Sequence, residues 1–258
     1  MKPFLYLDNW RRPQPETRFD RLLSETGLDV ERLRTNDGEF PAGTDYCGVY
    51  VSPSFDGAYD DEAWIHREHE VLSALAQDRV PMLGLCFGSQ IMASALCGRD
   101  QVEIRAEREM GYGGIRLTDA ARAGDPLVGG LPDAFSVFHW HQDEVRPDDP
   151  DIIVLAESPD CANQIWRWRH GPAWGVQPHP EFDHKQLIAW FTHNRELFET
   201  AGLTLQDLTD RADDNLDAGR LIANFLTFVV ARANRDRPGP TNHRPTRPHV
   251  DTGTRNST

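Results

Sequence analysis

The run Val80-Pro81-Met82-Leu83-Gly84-Leu85-Cys86-Phe87-Gly88-Ser89-Gln90, continued by apolar residues from Ile91 to Leu96, leaves the surrounding chain little freedom. Its first half reads as a buried strand and its second as a helix, with almost no loop between them. Gly84-x-Cys86-x-Gly88 sits at the join, the cysteine form of a nucleophile elbow. Such a turn forces its central residue into a strained backbone conformation. It also needs small residues two positions to either side, so that strand and helix can close on each other. The geometry lifts the Cys86 sulfur out of the sheet to a helix N-terminus, where free N–H groups and partial positive charge favour thiolate. Taken alone, the pattern equally fits a buried core thiol between ordinary turn glycines.

A second motif shifts the balance. Trp174-Gly175-Val176-Gln177-Pro178-His179-Pro180-Glu181 reads as a strand running into a proline-bracketed turn that carries a histidine and a carboxylate two residues apart. A cysteine nucleophile needs a base to take its proton and return it to the leaving group, and a third group to orient that base. His179 and Glu181 are of the required types, and such partners usually lie far from the nucleophile in sequence.

Together, Leu83-Gly84-Leu85-Cys86-Phe87-Gly88-Ser89-Gln90 and Gln177-Pro178-His179-Pro180-Glu181 resemble the class I (triad) glutamine amidotransferases, in particular the free-standing GMP synthase-like group. The resemblance runs from about Val49 to about Phe182. It implies a flavodoxin-like class I glutamine amidotransferase fold, a Cys86–His179–Glu181 triad, and glutamine or a γ-glutamyl small molecule as substrate. It also implies a partner, a synthetase carried on a separate chain.

The residues between the motifs are consistent with that likeness, with departures. The backbone N–H of Phe87, next after the nucleophile, is one oxyanion donor of an elbow. The second belongs at the end of a neighbouring strand, where Val51-Ser52-Pro53 stands in place of the family's Gly-Gly-Pro or Gly-Ser-Pro. By position this makes the Ser52 N–H the candidate. Val51 replaces a glycine, so a positive φ there would strain the loop. Gln90 follows Cys86 by one helical turn and can face the same pocket. His141-Gln142-Asp143 matches a His-Gly-Asp stretch whose backbone holds the substrate, with Gln142 replacing the glycine. Alternation places His139 and His141 on one strand face, a geometry open to metal, but no third ligand has matching spacing. No metal or organic cofactor is expected. Glu109-Met110-Gly111 resembles a Glu-x-Gly segment of structural role.

With 258 residues the chain can bury a substantial core. Alternating strands and helices over its first hundred residues predict a mostly parallel central sheet with helices on both faces. Additional antiparallel strands are expected from Gln101 to Gln177, and a single helix from Lys185 to Glu199. Asp213 and Asp214 would cap a further helix carrying Leu221, Ile222, Phe225, Leu226 and Val229. These elements predict one α/β domain over residues 1–234. The Pro- and Arg-rich residues 235–258 have the composition of a disordered tail.

A net charge of −14 argues against nucleic-acid or anionic-membrane binding, and no apolar window reaches membrane-spanning length. Trp166-Arg167-Trp168-Arg169 alternates as a two-sided strand does. Four cysteines without paired spacing, and a first strand where a signal peptide would lie, point to a reducing cytoplasm. Two departures, Val51 and Gln142, keep a catalytically idle regulatory module beside two enzymatic readings. One of these supplies ammonia to a synthetase, and the other hydrolyses γ-glutamyl peptides or amines without transfer.

Overall fold

The computed structural model describes residues 2–210 and 216–235. Five parallel strands form one half of a nine-stranded sheet: β1 (Phe4–Asp8), β2 (Val30–Arg34), β3 (Gly48–Val51), β4 (Met82–Leu85) and β9 (Ala173–Val176). Their order is β2-β1-β3-β4-β9. Every residue of β1, β3, β4 and β9 is buried, which is why these segments read as continuous apolar runs. The edge strand β2 is charged and largely exposed, which discourages pairing with another chain.

Helices cover both faces. On one side lie α2 (Ala63–Gln77) and α3 (Phe87–Cys97), which pack Trp64, Ile65, Leu72, Ile91 and Met92 against Val49, Val51 and Met82. On the other lie α1 (Arg18–Glu25) and α8 (Leu216–Arg235), whose Phe19, Leu221, Ile222, Phe225 and Val229 meet Phe4, Tyr6 and Tyr50. The expected apolar face of α8 is the buried one. Its expected caps, Asp213 and Asp214, lie outside the described residues, as does the chain beyond Arg235.

The other half of the sheet is antiparallel. Next to β9 come β8 (Ile165–Trp168), β7 (Ile152–Glu157), β5 (Val102–Leu117) and β6 (Ala134–Val145), in that order, with the one-turn α4 (Asp119–Arg122) between β5 and β6 in the chain. β8 is the two-sided strand expected at Trp166–Trp168, between β7 and β9. β5 is longer than its apolar portion, Tyr112–Leu117, predicts. Its charged first half is carried as a ribbon by β6, with a register shift between Ile104 and Glu109.

The helix expected over Lys185–Glu199 is two helices, α5 (His184–His193) and α6 (Arg195–Thr200). The break falls at Asn194, whose φ of −113° and ψ of 27° leave the helix while its side chain donates to the Trp190 carbonyl. The bend lets Trp190, Phe191 and Phe198 pack together over Phe138, Trp140 and Phe182, and α7 (Leu205–Asp210) adds Leu208 to that cluster.

The elbow glycines are packing requirements. A β-carbon on Gly84 would come 2.3 Å from the Gly88 carbonyl oxygen, and one on Gly88 would come 2.1 Å from that of Val51. Both obstacles are backbone, so neither can swing aside. Gly88→Ala is therefore expected to cost about 3 kcal/mol or more of stability. A loss of less than about 1 kcal/mol in urea unfolding would mean the elbow has more slack than its geometry allows.

Candidate active site

The three parallel strands β3, β4 and β9 end side by side, and the candidate site is built on their carboxyl ends, as is usual in open α/β sheets. Cys86 links β4 to α3. Its φ of 49° and ψ of −112° are the strained turn read from the sequence, and its N–H donates to the Val176 carbonyl at 2.8 Å. Apart from Arg79 it is the sole non-glycine with positive φ among the described residues. Its thiol faces the Trp140 carbonyl oxygen of β6 at 3.8 Å. As the residue that caps α3, Cys86 holds its sulfur at that helix's N-terminus.

β9 runs into the turn that carries His179 and Glu181, and β6 and α1 pin this turn. The His179 N–H donates to the Phe138 carbonyl at 2.8 Å, and the Arg18 N–H donates to the Glu181 carbonyl at 2.7 Å. The His179 ring stacks on Phe182 and lies beside Trp190 and Phe138. Nδ1 is 2.7 Å from the Glu181 carboxylate, and the ring also meets the Cys86 side chain. Both His179 and Glu181 are 1% exposed. Burial alone would lower the His179 pKa, but the charges of Glu181 and Cys86 outweigh it and hold the imidazole well above its usual value. The arrangement thus favours an imidazolium facing a sulfur.

Cys86 opens on a cleft of about 230 Å³, whose walls include Ser54, Phe55, Tyr59, Arg108 and Leu197 as well as the predicted Gln90, His141, Gln142 and Asp143. All four predicted substrate-facing residues therefore share one cavity with the sulfur. The Gln90 amide donates to the Asp143 carbonyl at 3.1 Å and to Gln177 Oε1 at 3.3 Å, so it braces the wall as well as lining it. Gln142 Oε1 accepts from Arg108 at 3.2 Å, and the Arg108 guanidinium lies 4.9 Å from the centre of the Trp140 ring. Burial raises the Asp143 carboxyl pKa.

The loop after β3 departs from expectation. The Ser52 N–H donates to the Leu7 carbonyl at 3.0 Å, and its hydroxyl accepts from the Asn9 N–H at 2.8 Å. Ser52 is fully buried in the join between β1 and β3, and its N–H is spent there. It does not point an oxyanion donor at the cleft. Pro53 has no N–H, so the next donor along the loop is that of Ser54, on the cleft wall. Val51 has no positive φ and continues β3, so the missing glycine strains nothing. Phe87 opens α3, where a first-turn N–H has no helical partner.

Sequence reasoning passed over Arg108, Tyr59 and the Trp140 carbonyl as parts of the site. Arg108 and Trp140 come together only through the β5–β6 pairing, which no local pattern announces.

A family model described as class I glutamine amidotransferase matches residues 16–194. This chain belongs to that family. Gamma-glutamyl peptidase 5 of Arabidopsis thaliana is 28% identical over 207 residues, covering 77% of this chain and 78% of that protein. One subunit of the glutamine-hydrolyzing GMP synthase from Archaeoglobus fulgidus is 30% identical over 165 residues, covering 64% and 77% respectively. A glutamine amidotransferase crystal structure from Thermotoga maritima superposes with a TM-score of 0.74 at 20% identity, covering 89% of this chain and 99% of that one. The fold is thus the class I glutamine amidotransferase fold expected from the sequence. The relatives are hydrolytic enzymes, in line with the enzyme class read from the two motifs. No helix among the described residues is long and apolar enough to cross a membrane.

Proposed function

We infer that this amidotransferase-family chain hydrolyses the side-chain amide of glutamine, or of a γ-glutamyl compound, through a thioester on Cys86. The observation that carries this reading is the buried His179, held by Glu181 at 2.7 Å and in contact with a sulfur that opens on a small cleft. The Cys86 thiolate adds to the amide carbon, and the oxyanion takes hydrogen bonds from the N–H groups of Phe87 and Ser54. The His179 imidazolium protonates the departing nitrogen, which leaves as ammonia or an amine. Neutral His179 then takes a proton from water, whose oxygen attacks the thioester. Collapse expels the Cys86 thiolate and frees glutamate, whose carboxyl proton goes to solvent, while the proton taken from water stays on His179 and restores the ion pair.

A cleft of about 230 Å³ lies at the small end of ligand sites, which favours one amino acid over a polypeptide. Its opposed charges, Arg108 and Asp143, suit the carboxylate and the ammonium of that amino acid. Ammonia would then pass to a separate synthetase, as the resemblance to one subunit of a GMP synthase suggests. A reducing compartment such as the cytoplasm would keep the thiol available.

One observation favours a second reading, cleavage of γ-glutamyl peptides or amines without transfer. Phe55 and Tyr59 line the cleft yet remain 48% and 41% exposed, leaving apolar surface for a group beyond the scissile amide. A single covalent adduct from an acivicin-type glutamine analogue is expected on Cys86, suppressed by excess glutamine, when the protein is mapped by mass spectrometry. A panel of γ-glutamyl compounds, assayed for ammonia and amine release, then separates the two readings. An unmodified Cys86 would instead favour an idle regulatory module.

A further inference from the structure

The antiparallel pairing of β5 with β6 sets Glu109 directly opposite His141 and Gly111 opposite His139. Side chains two apart on a strand share a face, so the Glu109 carboxylate lies between the two imidazoles. Nδ1 of His139 is 3.4 Å from Glu109 Oε1, and Nε2 of His141 is 3.0 Å from Oε2. One donor atom from each of the three residues falls within 4.8 Å of the other two. This is the third ligand that sequence spacing did not reveal.

The hydrogen bonding around the cluster suits a cation held between its three donors. Nδ1 of His141 stands 3.1 Å from the Asp143 carbonyl oxygen, a placement that suits an Nδ1–H donor and leaves Nε2 as the nitrogen aimed at the Glu109 carboxylate, 3.0 Å away. His139 is fully buried, with the Gly113 backbone against its ring, and its Nδ1, 3.4 Å from Glu109 Oε1, makes no hydrogen bond of good geometry. Gly113 backs this ring so closely that a β-carbon there would come within 3.1 Å of Nε2. Gln164 and Arg105 approach Glu109 Oε2 at 2.9 and 3.2 Å, whereas Oε1 otherwise meets only the Ser158 hydroxyl at 3.5 Å. Two buried imidazoles and a carboxylate converging in this way need a proton or a cation between them, and a buried polar group left without one is rare. Two imidazoles and a carboxylate are a donor set that suits zinc. Donors in a tetrahedral zinc site stand about 3.3 Å apart. The two imidazole-to-carboxylate separations, 3.4 Å to Oε1 and 3.0 Å to Oε2, are close to that spacing, and one donor atom from each residue lies within 4.8 Å of the others.

We propose that Glu109, His139 and His141 bind one divalent transition-metal ion of the zinc class. His141 also lines the cleft, so water can fill the fourth position from that side. A bound ion would fix the His141 ring and the Asp143 carbonyl, which also receives the Gln90 amide. The site would therefore stiffen the wall of the cleft without contacting the sulfur.

The catalytic thiol also binds soft metals, so the test uses full-length Cys86→Ser protein titrated with Co²⁺ and Zn²⁺. One equivalent of Co²⁺ is expected, with visible ligand-field bands and no thiolate charge-transfer band, and Zn²⁺ should raise the melting temperature. Loss of a ligand should weaken binding by more than the roughly 10–100-fold seen on loss of an outer partner. Glu109→Gln and His139→Ala should therefore each weaken it at least that far. Should His139→Ala fail to fold, the near-isosteric Glu109→Gln carries the test alone. No stoichiometric binding to the Cys86→Ser protein overturns the proposal, and so does an affinity unchanged by Glu109→Gln.

Discussion

Replacing Cys86 with alanine is expected to cut ammonia release from glutamine by about four orders of magnitude or more, leaving only what positioning and oxyanion donors supply. The sulfur forms the covalent bond, and no other cysteine lines the cleft that it opens on. The fold should not suffer. Alanine at position 86 inherits the same φ of 49° and the same 2.8 Å hydrogen bond to the Val176 carbonyl, so the urea midpoint should stay close to that of the parent. Glycine at the same position separates strain from chemistry. Cys86→Gly should be equally inactive yet more stable, because a residue without a β-carbon adopts positive φ without penalty. Ammonia release surviving in either variant would remove Cys86 from the reaction.

What could be read in advance follows from how local each requirement is. The elbow was legible because its Gly-x-Cys-x-Gly spacing is local and the Gly84 clash at 2.3 Å falls on Gly88 within it, whereas the Gly88 clash at 2.1 Å falls on Val51 of β3 and only the structure shows it. Strands β1, β3 and β4 were legible because burial on both faces leaves them apolar throughout, save Asp8 at the end of β1. The triad side chains were nameable because their chemistry is rare, although their meeting depends on the order of β4 and β9 in the sheet. Ser52 was misread for the opposite reason. Whether an N–H is free depends on what lies across from it, and here Leu7 of β1 takes it. Glu109 was legible only as part of a structural Glu-x-Gly segment and Arg108 not at all, because their place is set by the β5–β6 register, with a shift in the middle that no periodicity anticipates. The break at Asn194 was hidden inside a pattern that stays helical on both sides of it.

Glu181→Gln should lower kcat/KM by about a thousandfold or more at neutral pH and should also change the shape of the pH profile. Burial pulls the His179 pKa down, and the negative charges of Glu181 and Cys86 lift it above the unfolded value of about 6.5. The folded protein therefore holds this proton more tightly than the unfolded chain does. The resulting stabilisation is fully present below about pH 6.5 and is lost as pH rises through the raised folded value. Glutamine at position 181 keeps the shape but removes one of the charges, so burial gains the upper hand and the imidazole becomes neutral at lower pH. Two shifts should follow together. The alkaline limb of kcat/KM should move to lower pH, and the loss of stability between neutral and alkaline pH should shrink in urea titrations. A carboxylate that merely packs the turn would lower activity without moving either curve. Glu181→Asp, which restores the charge at a shorter reach, should recover part of the parent profile. An alkaline limb that stays in place in Glu181→Gln would mean that the carboxylate at 2.7 Å does not set the protonation of His179.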